Sequence, residues 1–171
     1  MKVISLYLIR HAKSSWKNTS LPDIDRPLNR RGENDAPIMA ERLKKRGVTP
    51  DIFLSSPARR ARRTAGIFAE ILHVGEKRIR IVPEIYHEGR TGILRAISEL
   101  TPNNRTVFLF GHNPDLTDLA VRLSGAKIDN IPTCGIVRID FDGKDWADIS
   151  REMGRMVFFD FPKNKEDGFV V

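Results

Sequence analysis

The run Val3 to Ile9, in the context "SLYLIRHAKSSW", limits the fold of this chain more than any other feature. About seven largely apolar, β-prone residues end abruptly on Arg10 and His11. A strand with one wet face alternates apolar and polar residues, whereas an unbroken apolar run belongs to a strand covered on both faces. The run is far shorter than the ~20 residues of a membrane helix, and its Arg-His end is unlike a signal peptide. It therefore predicts a central strand that delivers two nitrogen-rich side chains to its carboxyl end.

Period and punctuation continue the pattern. Residues 18 to 30 carry two prolines and read as a loop. Gly32 to Lys45 has helical spacing and stops at Gly47. Asp51 to Leu54 is a short strand before "SSP". Pro57 to Leu72 is a helix, with Pro57 in its first turn, where a missing N–H costs nothing. Ile79 to Val82 is a strand, "PEIYHEGR" a loop, and Thr91 to Leu100 a helix. Thr106 to Phe110 is a strand running into "GHNP". Asp115 to Leu123 is a helix ended by Gly125, and Ile136 to Phe141 is a strand. Asp145 to Ile149 and Met156 to Phe161 read as edge strands, and the polar tail after Pro162 is expected to pack loosely.

Strands alternating with helices predict an α/β domain, a three-layer α/β/α sandwich on a mainly parallel central sheet. The 171 residues fit a single domain, 1 to 171. Ligands of such sheets bind outside the carboxyl ends of the strands. Arg10-His11, Ser55-Ser56 and Gly111-His112 all lie just past strand ends, so three segments can meet in one crevice.

Two strand-end histidines with arginine-bearing segments suit phosphate chemistry. A guanidinium binds phosphate with two parallel hydrogen bonds and stays charged. A neutral imidazole can attack phosphorus and form a phosphohistidine, provided its other nitrogen donates to a carbonyl. Nearby cations favour the neutral ring. The second histidine, when protonated, can donate to the phosphoryl oxygens where charge gathers.

The residues themselves go further. "LIRHAKSSW", "SSPARRARRTA" and "GHNP" resemble the histidine phosphatase superfamily, the phosphoglycerate-mutase-like group. "RHAKSSW", "DIDRPLNRRG" and "GHNPDLTDLA" are similar, more narrowly, to the SixA-type phosphohistidine phosphatases. The likeness runs from about residue 4 to residue 141. It implies a cofactor-independent phosphatase with His11 as nucleophile, Arg10 and Arg60 on the phosphoryl oxygens, and His112 completing the pocket. Ser14 stands where relatives can touch substrate. A general acid at Glu84, with His87 and Glu88 as rivals, is implied by relatives that carry a glutamate after the third strand. An imidazole leaving group can do without one, because it can depart already protonated, whereas an alkoxide needs the acid far more.

Two departures narrow the class. Ala12 and Lys13 follow Arg10-His11 where mutases and bisphosphatases carry an acidic residue. Residues 89 to 111, between Glu88 and His112, are too few for a cap domain. An open site suits a phosphorylated protein, with phosphohistidine on a signalling protein as the expected substrate. The alternatives are a small phosphorylated molecule, or a phosphate-binding module without turnover.

Other features have plainer readings. Net charge is +7, from 29 basic and 22 acidic residues, which favours anionic partners without choosing among them. "ARRARR", residues 58 to 63, could grip a nucleic-acid backbone. No aromatic residues interleave it, so Arg59, Arg62 and Arg63 are read as solvated or as recruiting acidic substrate, and no nucleic acid is expected. Asp23 and Asp25 either orient the arginines, Arg26 among them, or are simple loop acids. Trp16 and Trp146 read as packing residues. Cys134, the single cysteine, cannot form an internal disulfide and suits a reducing compartment, so cytoplasm is expected, with no membrane contact. His11, His73, His87 and His112 show no metal-ligand spacing, so no metal is expected.

Overall fold

The computed structural model describes residues 2 to 165. The first strand, β1 (Val3–Arg10), is buried from Ile4 to Ile9, as its continuous apolar pattern demands. The helix α1 (Arg30–Lys45) starts at Asn29, whose side chain accepts from the Gly32 N–H at 2.9 Å. Then come β2 (Ile52–Ser55), α2 (Arg59–Ile71), β3 (Ile79–Ile81), and the short α3 (Glu84–His87). The chain continues with α4 (Gly89–Ser98), β4 (Thr106–Gly111) and α5 (Asp115–Ser124). Gly125 ends α5 in the left-handed region, with φ 67° and its N–H on the Val121 carbonyl. The last strands are β5 (Ile136–Asp142) and β6 (Arg155–Asp160).

The sheet order is β3-β2-β4-β1-β5-β6. The strands β3, β2, β4 and β1 are mutually parallel; β5 runs against β1, and β6 runs against β5. Only β5 therefore opposes the common direction, and the sheet is mainly parallel. On one face Tyr7, Ile9, Phe53, Phe108 and Phe110 pack against α1 and α2. On the other, Leu6, Leu8, Leu54, Val107 and Leu109 pack against α4 and α5. Both faces are covered, which makes the predicted three layers.

Trp16, read as a packing residue, is instead exposed, with the Arg26 guanidinium over its ring at 3.6 Å, and three expectations about local elements also need correction. Residues 145 to 149 are not an edge strand: Trp146–Arg151 forms a 3₁₀ turn, with Trp146 and Ile149 buried three residues apart. The "PEIYHEGR" loop contains α3. Pro57 lies before α2 rather than in its first turn, and Ala58 is the N-cap. There Ser56 Oγ accepts from the Ala58 N–H at 3.1 Å. The tail beyond residue 165 lies outside the described residues. No helix among the described residues is long and apolar enough to cross a membrane.

Candidate active site

Strand register brings the site together. Arg10 pairs with Gly111 across the parallel β1–β4 ladder, so the next residues along each strand, His11 and His112, emerge side by side. Their ring centroids are 5.1 Å apart. Ser55 pairs with Phe110 on the other edge of β4, which sets Ser56 beside the same point. His112 Nε2 lies 2.7 Å from Ser56 Oγ.

The turn carrying His11 is fixed from several directions. The Cys134 N–H donates to the carbonyls of Arg10 and His11 at 3.1 Å each. Cys134 is itself buried and held at φ 60°, and burial pushes its thiol pKa up. The Ala12 N–H donates to Thr64 Oγ1 at 3.0 Å, and that hydroxyl donates to the Arg60 carbonyl at 2.7 Å. At the next turn Gly32 presses on Lys13 so closely that any side chain would meet the Lys13 carbonyl oxygen.

His11 Nδ1 is 2.7 Å from the Ala12 carbonyl oxygen. A carbonyl only accepts, so Nδ1 carries the proton and Nε2 keeps its lone pair. Burial, chiefly, depresses the His11 pKa to about 3; the Ala12 carbonyl works against this, while His112, Arg60 and Arg10 reinforce it. The ring is neutral near pH 7. Burial first, then Arg60, also lowers His112, to about 4, against the pull of Asp23. His112 is therefore not an imidazolium at rest, contrary to the role that needs it protonated. Arg60 Nη2 lies 3.4 Å from His112 Nδ1 and can only donate, which leaves the His112 proton on Nε2, facing Ser56.

The two arginines are anchored differently. Arg10 Nη1 donates to the Ile131 carbonyl at 2.9 Å. Arg60 Nη1 donates to the Asp23 carbonyl at 2.7 Å, and Nη2 to Asp23 Oδ2 at 3.0 Å. The Nε atoms of both are buried and have no hydrogen-bond partner among the described residues. A buried polar group left unpaired costs about 1–3 kcal/mol. Two such N–H groups beside two neutral imidazoles are spare donors of the kind an anion can satisfy.

Asp23 is the hub of a network that the sequence left open. It accepts from Arg26 Nε at 3.1 Å, from Arg60, and from the Tyr86 hydroxyl at 2.7 Å. Burial works to raise its carboxyl, but the hydrogen bonds from Tyr86, Arg60 and Arg26 outweigh that and hold it well below the usual carboxylate range. The Tyr86 ring stands edge-on to His112, with centroids 5.5 Å apart at 77°. Sequence reasoning missed Tyr86, which shares a segment with the expected acid Glu84. Glu84 itself lines a separate cavity of about 190 Å³ with Arg80, Arg95 and Glu99. Glu88 pairs with Arg95 at 2.6 Å, and His87 packs on Tyr86. Ser14 is buried, its hydroxyl accepting from Arg26 Nη1 at 2.8 Å. Among the described residues no group of three or more His, Cys, Asp or Glu could hold a metal ion.

The family model of the histidine phosphatase superfamily (branch 1) matches residues 6–87. An uncharacterized chloroplastic protein of Arabidopsis thaliana is 36% identical over 151 residues, covering 84% of this chain and 69% of the plant protein. Among solved structures, a candidate phosphohistidine phosphatase SixA from Agrobacterium tumefaciens is 28% identical with TM-score 0.79, covering 93% of this chain and 98% of that one. A candidate SixA from Nakamurella multipartitia has TM-score 0.84 at 21% identity, covering 96% and 99% of the two chains; that likeness is one of fold.

Proposed function

We propose that this chain, which belongs to the histidine phosphatase superfamily and is a phosphatase, moves the phosphoryl group of a phosphohistidine to His11 and then to water. The observation that carries the reading is the His11 ring: buried, neutral, its Nδ1–H on the Ala12 carbonyl and its Nε2 lone pair free. The likeness to the SixA-type fold supports phosphohistidine over other phosphoryl donors, and the signalling protein as its carrier is part of the proposal.

In the first step His11 Nε2 attacks phosphorus in line. The Nε2–P bond forms as the N–P bond of the substrate breaks. A substrate imidazole protonated on its second nitrogen takes the bond electrons and leaves as neutral imidazole. Arg10 and Arg60 donate to the phosphoryl oxygens, and their unpaired Nε–H groups supply directed donors where charge accumulates. The incoming dianion offsets the cationic field on His112, favours its protonation, and so lets it donate to an oxygen as well. In the second step water attacks phosphorus, the Nε2–P bond breaks, and both water protons leave on inorganic phosphate. His11 recovers its lone pair. No residue needs to protonate the leaving group, which fits the position of Glu84 in another cavity. No step calls for a metal or cofactor. The proposed compartment is the cytoplasm, on the strength of a single, buried, unpaired cysteine.

The test is phosphate release, in EDTA, from a phosphohistidine protein and from p-nitrophenyl phosphate side by side, with His11→Ala as the blank. Fast release from the protein and slow release from the ester is the expected result. The reverse preference would replace it with a small-molecule phosphomonoesterase. Release from neither would leave a phosphate-binding module.

A further inference from the structure

A cavity of about 310 Å³ opens beside the anion site and shares Arg10 with it. Among the described residues, its other charged lining groups are Lys13, Arg31 and Lys163, and no carboxylate lines it. Three separate segments supply these cations: the turn after β1, the first turn of α1, and the stretch after β6. Among the described residues Arg31 is the one with a neighbouring acid, Asp35 at 3.4 Å, and its Nη2 is also steadied by Thr133 Oγ1 at 3.3 Å. The ammonium groups of Lys13 and Lys163 have no hydrogen-bond or ion-pair partner among the described residues. Like charges gathered in a concave space repel one another, and an anion relieves that repulsion. Phe161 adds an apolar wall along which a carbon spacer can lie.

We infer that this cavity is a second anion subsite, which takes a carboxylate or phosphate carried by the same substrate whose phosphoryl group faces His11. The inference rests on His11 being the phosphoryl acceptor, because Arg10 then touches both groups. It narrows the substrate to phosphohistidine in an acidic stretch of protein. A histidine flanked by neutral residues would fill only the first site.

Direct binding tests this without turnover. A peptide bearing a stable phosphohistidine analogue flanked by Asp and Glu is compared calorimetrically with the same peptide flanked by Asn and Gln. The acidic peptide should bind roughly five- to ten-fold more tightly at low salt, the gain expected from two or three partly exposed ion pairs. The gap should shrink as salt rises. Arg31→Gln with Lys163→Gln should remove it, while hydrolysis of p-nitrophenyl phosphate stays unchanged; that unchanged hydrolysis also shows that the variant is folded. A gap that survives the double variant, or equal binding both of the two peptides and of the phosphate pair below, would overturn the subsite. A second pair, butyl phosphate against 1,4-butanediol bisphosphate, separates the sources of the second anion. Discrimination there without discrimination between the peptides would overturn the protein assignment in favour of a small bisphosphate. Failure of the phosphatase reading looks different: the peptides would still be told apart, but authentic phosphohistidine would not be hydrolysed.

Discussion

The pocket has two walls built in different ways. One is the end of the parallel sheet, where β1 and β4 deliver Arg10, His11 and His112, and the loop after β2 adds Ser56. The other comes from short turns: Asp23 from a 3₁₀ turn at Asp23–Asp25, and Tyr86 from the four-residue α3. The sheet wall is held by ladder hydrogen bonds and by buried layers on both faces. The turn wall is held by its own polar network, with the Asp23 side chain 48% exposed. A wall fixed by the core should carry the chemistry, and a wall fixed by exposed hydrogen bonds should tune it.

Removing a group from the sheet wall should have the largest effect. His11→Ala should lower turnover roughly 10³-fold or more on every substrate, since it removes the proposed nucleophile itself. Steady-state rates on phosphohistidine and ester decide it, and substantial residual activity would break the division between the walls.

Acid distinguishes the walls next. His11 and His112 are neutral in the folded protein down to about pH 3 and about pH 4, whereas an unfolded histidine protonates near 6.5. Below 6.5 the unfolded chain binds more protons, so stability declines as the pH drops from about 6.5 until the folded pKa values are reached. Asp23, with its pKa lowered, stays ionised in the folded chain over that window and contributes no loss until the unfolded carboxyl starts to protonate, near pH 4. Unfolding free energies from urea titrations at pH 7 and pH 4.5 should differ by an amount of the order of a few kcal/mol. His11→Asn should flatten that slope. An unchanged slope would mean that the sheet-wall histidines do not resist protonation.

The turn wall should respond more mildly. Asp23→Asn keeps the backbone carbonyl that holds Arg60 Nη1 but weakens the grip on Nη2 and on Arg26. It also removes a charge that raises the His112 pKa. A loss of about 10-fold in kcat/KM is expected, a size that fits one displaced charge-assisted hydrogen bond.

The same division explains what could be read from the sequence. Strand ends were legible because an apolar run fixes a strand, and the register then fixes which residues stand just beyond its end. Arg10, His11 and His112 come together for that reason. Turns were less legible because their side chains obey local geometry rather than a period. The segment 145 to 149 passed for a strand, yet its buried residues Trp146 and Ile149 are three apart, the spacing of a 3₁₀ turn rather than the two of a strand. Asp23 could be read either as an arginine partner or as a solvated loop acid, and only contacts 37 and 63 residues away in sequence decide between them. Tyr86 was masked by its neighbours, since three titratable residues of the same stretch compete for notice and only the turn of α3 selects among them.

That competition yields the smallest predicted effect. If the turn wall only tunes the site, Tyr86→Phe should cost about three-fold in kcat/KM, the worth of one exposed hydrogen bond to Asp23. Glu84→Gln should change phosphohistidine hydrolysis less than that, because its carboxyl lines the cavity of Arg80, Arg95 and Glu99 and the leaving imidazole needs no acid. Kinetics of both variants on phosphohistidine and on p-nitrophenyl phosphate separate the cases. A large loss for Glu84→Gln on the ester alone would mean that α3 turns to bring Glu84 to a substrate that needs a proton. A large loss on both substrates would make the turn wall an equal partner in the chemistry.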